Sequence, residues 1–120
     1  VERLIGFAVL SRIAKQSRRS MPEARATQYI NDGRTRVTQW SFAKPGDATG
    51  AHVHEFDYLV IPVTGGELTV VTDDGTETRM LQVAGTPYSG PAGTSHNVIS
   101  ASNSPVVFVE VELTTQTEPS

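Results

Sequence analysis

From Arg34 onward the chain is cut by turn residues into short apolar stretches at spacings of roughly ten residues, which constrains its fold more than any other feature. Arg34–Ala43 carries Val37, Trp40 and Phe42 and stops at Lys44-Pro45-Gly46-Asp47. Tyr58–Val63 follows, then Gly65-Gly66, which reads as a hairpin turn into Glu67–Thr72. Asp73-Asp74-Gly75-Thr76 contains the Asp-Gly pair favoured in tight hairpins. Thr78–Val83, Ser95–Ser100 and Val106–Leu113 complete the set. No helix of ordinary length fits between these breaks, so the pattern predicts an all-β sandwich or barrel. Residues 26–114 are expected to form that one domain, and the polar residues 115–120 a frayed tail.

The first 25 residues differ in character. Leu4, Ile5, Ala8, Val9 and Ile13 recur near helical spacing with basic residues between them. Arg12 interrupts the apolar stretch and no small-residue cleavage site follows, which argues against a signal peptide. A basic amphipathic helix lying on a membrane would be short. A short N-terminal helix packed on the body or on a partner subunit, or a disordered lead, is expected instead.

Composition excludes several functions. With no cysteine, neither disulfides nor thiolate metal sites are available, leaving His, Asp, Glu, Tyr and water as ligands. No apolar run approaches the ~20 residues of a membrane-spanning helix, and a cytoplasmic location is expected. The net charge of −3 hides an asymmetry: residues 26–120 hold four basic against eleven acidic residues. Such a body is a poor match for nucleic-acid phosphates.

The chain has only three histidines. His52 and His54 stand two apart, so on a strand both point to one face. His96 lies 42 residues beyond His54 in Pro91-Ala92-Gly93-Thr94-Ser95-His96, and from a second strand it can close a triangle around a cation. Imidazole suits zinc, copper, iron and nickel.

Gly46 followed after five residues by His52-Val53-His54, then Gly65 or Gly66, resembles the first motif of the cupin superfamily. Gly85 followed after five residues by Pro91-Ala92-Gly93-Thr94-Ser95-His96 resembles the second. The resemblance spans Gly46 to Ser100. It implies a jelly-roll barrel, the double-stranded β-helix, holding one divalent metal (Fe, Zn, Mn, Ni or Cu) on His52, His54 and His96. The run Gly50-Ala51-His52-Val53-His54-Glu55-Phe56-Asp57-Tyr58 is similar to small single-domain bacterial cupins, some of which carry a β-alanine-degradation label. The sequence departs from the family twice. Tyr58 and Leu59 stand where the first motif usually has a glutamate, and Ser100 stands where the second usually ends in asparagine.

Losing the glutamate matters chemically. Three neutral imidazoles leave a divalent ion its full charge and up to three open positions, which favours an anionic or enolate-forming ligand. Non-haem iron oxygenases use such positions for substrate and dioxygen. Tyr58 shares the parity of His54 and is the candidate catalytic residue, placed to reach the metal or donate a hydrogen bond to a ligand. Glu55 and Asp57 have the wrong parity unless a bulge turns one inward, and Asn97 should face away from His96. Trp40, Phe42, Tyr88 and Phe108 either line a pocket or pack the core. Glu110 and Glu112 alternate with Val109, Val111 and Leu113, as on a strand with one wet face. The sharper alternative sends Glu110 or Glu112 into the barrel as an acid/base, with Arg36 as partner.

Two functions are compatible with these residues. One is a metal-dependent enzyme acting on a small carboxylate or carbonyl compound: a dioxygenase-like oxidoreductase with iron, an isomerase or lyase with another metal. The other is a non-catalytic module that binds a metal and a small molecule. The resemblance also implies a homodimer, paired through an outer sheet with the N-terminal segment crossing to the partner.

Overall fold

A computed structural model describes residues 22–115. Among these residues nine strands run in the order β1 (Arg25–Asn31), β2 (Thr35–Phe42), β3 (His52–Val53), β4 (Tyr58–Pro62), β5 (Gly66–Thr72), β6 (Glu77–Gln82), β7 (Tyr88–Gly90), β8 (Ser95–Ser100) and β9 (Val106–Leu113). They form a five-stranded sheet, β1-β2-β9-β4-β7, and a four-stranded sheet, β3-β8-β5-β6. Among these residues all pairings between strands are antiparallel, and the two sheets share one core, as the expected jelly-roll barrel requires. Among the described residues no helix is long and apolar enough to cross a membrane.

Alternation along β9 shows how the barrel is filled. Val106, Phe108, Glu110 and Glu112 are buried, while Val107, Val109 and Val111 are partly exposed. Antiparallel register carries that parity across the sheet: Phe42 faces Val106, Trp40 faces Phe108 and Thr38 faces Glu110. One end of the barrel is therefore packed. Phe42, Leu68 and Val106 are fully buried there, and the Phe42 and Phe108 ring centroids lie 5.7 Å apart. The other end of β9 carries the two glutamates, so core and polar site occupy opposite ends of the same strands.

The Asp-Gly turn joins β5 and β6 as expected: Thr76 N–H and the Thr72 hydroxyl both donate to Asp74 Oδ1, at 3.0 and 2.7 Å, and Gly75 adopts φ 86°. The hairpin expected at Gly65-Gly66 is not formed. β4 pairs with β7 and β9, whereas β5 pairs with β6 and β8, so these glycines carry the chain from one sheet to the other. A corner and a hairpin ask for the same residue. Gly66 has φ 149°, and a Cβ there would stand 2.6 Å from the Val106 side chain.

Strands β1, β3 and β7 have no counterpart in the apolar pattern. β1 is mostly exposed and is held by its ladder to β2, with a register shift between Gln28 and Ile30. It begins at Arg25, and Glu23 forms a parallel bridge to Ala48, so residues 23–25 are extended rather than helical. The helix expected further upstream lies outside the described residues. At the other end the Thr115 hydroxyl donates to the Gly33 carbonyl at 2.7 Å, and the rest of the expected tail, residues 116–120, lies outside the described residues.

Candidate metal centre

The first motif reaches the site through short anchored pieces. His52 sits on β3 directly opposite His96 of β8. His54 follows the strand, and the second motif clamps its backbone. Its N–H donates to the Thr94 carbonyl at 2.8 Å, and its carbonyl accepts from Gly93 N–H at 2.7 Å. The two motifs thus hold each other by main-chain bonds. Two outward-facing side chains brace the arrangement. Asp57 accepts from Ala92 N–H at 2.8 Å, and Asn97 accepts from Gly50 N–H at 3.1 Å. Glu55 and Asp57 are exposed, in keeping with their parity, and no bulge turns either inward.

The three imidazoles converge. His54 Nε2 lies 3.1 Å from His52 Nε2 and 3.1 Å from His96 Nε2, and the ring planes cross at 73° to 89°. His52 Nδ1 lies 2.8 Å from the Gly50 carbonyl. That acceptor fixes the tautomer: Nδ1–H donates outward, and the Nε2 lone pair faces the other two rings. The spacing fits a shared ion. Nitrogens about 2.1 Å from one cation stand ~3.0 Å apart on an octahedral face and ~3.4 Å apart in a tetrahedron. The donor set therefore suits a divalent ion on a three-histidine face.

Electrostatics keep these rings ready to ligate. Burial, then the charges His52 and His96 would carry, lower the His54 pKa to about 4. Burial and His52 lower that of His96 as well. At neutral pH both rings are neutral, the form that binds metal.

The alternation on β9 brings Glu110 to the site, which the wet-face reading does not anticipate and the sharper alternative does. Glu110 Oε2 lies 3.9 Å from His54 Nε2. Ligand atoms of His54, Glu110 and Glu112 form a second group within 4.8 Å of one another, alongside that of His52, His54 and His96. Burial, then the Glu112 charge, raise the Glu110 pKa to about 7. With the His54 ring neutral near pH 7, the contact is not a salt bridge whichever way Glu110 stands. Glu112 is committed elsewhere. Arg36 Nε and an Nη donate to its two oxygens at 2.6 and 3.0 Å, while the guanidinium lies 5.6 Å over the Phe56 ring.

Tyr58 is buried and stacks on His54 with centroids 3.9 Å apart. Burial raises its pKa, and the Thr94 hydroxyl partly offsets the effect. The ring occupies the space above Gly90, where a Cβ would overlap it. Gly90→Ala is therefore expected to push Tyr58 off His54. It should cost about 1–3 kcal/mol in thermal unfolding and weaken zinc binding in a titration. Trp40, Tyr88 and Phe108 line a cavity with His52 and His96; Phe108 is also part of the core, to which Phe42 belongs without lining the cavity.

Comparison with known proteins places this geometry. No family model matches the chain. It is 46% identical over 92 residues to the beta-alanine degradation protein BauB of Pseudomonas aeruginosa, covering 77% of this chain and 95% of that protein. The crystal structure of a cupin domain from Bordetella pertussis Tohama I superposes with a TM-score of 0.74 at 38% identity, over 78% of this chain and 96% of that one. The chain belongs to the cupin superfamily. A double-stranded β-helix protein of Klebsiella pneumoniae matches at TM-score 0.64 and 22% identity, over 80% of this chain and 81% of that one. At that identity the match speaks for the fold alone. In this cupin the carboxylate nearest the histidines comes from β9 rather than from the first motif.

Proposed function

We propose that this cupin is a metal-dependent enzyme acting on a small, anionic carboxylate or carbonyl compound, with His52, His54 and His96 holding one divalent ion. One observation carries the reading: the Nε2 atoms of His52 and His96, both of which line a cavity large enough for a ligand, converge with that of His54 beside it. When bound, the ion supplies Lewis acidity, or with iron the means of dioxygenase-like oxidation. The chain's own residues do the rest. Tyr58, stacked on His54, orients the ligand. Glu110 holds or releases a proton at Oε2, since a pKa of about 7 suits either direction near neutrality. Arg36 keeps Glu112 from competing for the site. The Pseudomonas relative's name, which refers to β-alanine degradation, is compatible with a small carboxylate.

A second reading is a binding module without turnover. It is favoured by the cavity's composition, because among the described residues Glu110 is the one carboxylate that lines it. Metal analysis of protein purified from cells, followed by oxygen uptake with candidate carboxylates, separates the two. Iron at about one per chain with substrate-dependent uptake supports the enzyme. Tight metal and ligand-induced stabilisation with no product supports the module.

We also propose a cytoplasmic homodimer. Val37, Val111 and Leu59 lie side by side across the outer face of the five-stranded sheet, with Val109 and Ile61 beside them. Leu59, Ile61 and Leu113 are each more than a third exposed, at 39%, 38% and 39%. Light scattering at micromolar concentration is expected to give twice the chain mass, and Ile61→Lys to give the monomer.

A further inference from the structure

We infer that the ligand of this site carries one metal-binding head and an apolar, ring-sized body, and that the barrel selects for that body. The inference rests on the reading of the histidines as a metal face, and it names the class of ligand placed there.

The cavity has a volume of about 280 Å³. An apolar cavity of roughly 150 Å³ accepts benzene. This one therefore has room for about ten non-hydrogen atoms, more than a three-carbon acid fills. Its position follows from register. On β5, Thr72 stands opposite His96, Val70 opposite Val98, and Leu68 opposite Ser100 and Met80. On β4, Tyr58 stands beside Glu112, and Val60 lies between Glu110 and Tyr88. The cavity thus runs along the strands from the imidazoles toward Met80 and Tyr88. Its walls are Trp40, Val60, Leu68, Val70, Val98 and Phe108.

Charge sharpens the class. Among the described residues no lysine or arginine lines the cavity, and Glu110 is its one carboxylate, at the histidine end. Arg36 is spent on both oxygens of Glu112 and does not line the cavity. A second charged group carried down the cavity would meet only apolar carbon and weak dipoles, at a cost of several kcal/mol. A zwitterion such as β-alanine would have to curl its ammonium back to Glu110 and would leave the apolar walls unfilled. A phenyl-sized body fills them and gains their burial.

The test uses the full chain loaded with zinc, and ligand pairs that share a head. Calorimetry compares acetohydroxamate with benzohydroxamate, and pyruvate with phenylpyruvate. The phenyl member of each pair is expected to bind at least about tenfold tighter, and millimolar β-alanine to give no stabilisation. Met80→Trp, which fills the cavity from the end remote from the histidines, is expected to erase the phenyl advantage while leaving acetohydroxamate affinity within about twofold. The wild-type pairs decide the matter even if that variant does not fold. Acetohydroxamate binding as tightly as benzohydroxamate overturns the apolar-body inference and leaves the metal reading standing. Failure of the chain to retain zinc overturns both.

Discussion

His54→Ala is expected to lower zinc or iron affinity by more than ~100-fold while leaving the β-rich fold intact. His54 is the shared vertex of the triangle, within 3.1 Å of both other imidazole nitrogens. Loss of an outer-shell partner typically costs 10–100-fold in metal affinity, and loss of a direct ligand should exceed that range. Equilibrium competition against a chelator measures it. The same burial shapes the acid response of the metal-free protein. The His54 pKa falls from 6.5 to about 4 on folding, so its contribution is full above pH 6.5 and is lost as pH drops through 4. The Glu110 pKa rises from 4.5 to about 7, so its contribution is full below pH 4.5 and is lost as pH rises through 7. The two oppose each other between about pH 4.5 and 6.5, so stability there should change less steeply with pH than it does without Glu110. In Glu110→Gln the opposing term is gone. Stability should then fall by on the order of 2–3 kcal/mol as pH drops from 6.5 to 4. Urea unfolding at a series of pH values distinguishes the two curves.

Arg36→Met is expected to be the most destabilising single change near the site. It leaves Glu112, 8% exposed, without the fork that satisfies both its oxygens. Breaking a buried ion pair from one side typically costs 3–5 kcal/mol. The Arg36 side chain is 30% exposed, so solvent screening brings the expectation nearer 2–3 kcal/mol. Arg36→Met with Glu112→Leu should recover most of that loss, because no unpaired charge is left buried. Chemical denaturation of the two variants against wild type checks both statements. In the single variant Glu112 is also released beside His54, so zinc affinity should change there and revert in the double variant.

The strands that fill the barrel were legible because their own side chains alternate. β2, β4, β8 and β9 lie within stretches that the turn residues mark off, and β5 and β6 each begin one residue ahead of theirs. β3 and β7 have only two and three residues, too few for a periodic signal. β1 buries almost nothing and owes its form to β2. Gly65-Gly66 was misread because a corner between sheets and a hairpin both need a small residue with unusual freedom. The histidines stood out through two motifs that converge on one another. Glu110 was legible only by parity: it shares a face with Phe108 and Val106, so once those pack the core it must point inward. The expectation of a wet face failed because β9's outward residues are valines, which now form part of the apolar outer surface. Asp57 and Asn97, as braces on the opposite motif's backbone, carry no signal in sequence, because each acts on a residue more than thirty positions away.

The account stands on three imidazoles gripping one cation, and X-ray absorption on zinc-loaded protein tests it most directly. We expect about one ion per chain after desalting, three imidazole nitrogens in its coordination shell, and two in His96→Ala. Retention below about a tenth of an ion per chain, or a wild-type shell with fewer than three imidazoles, would contradict it.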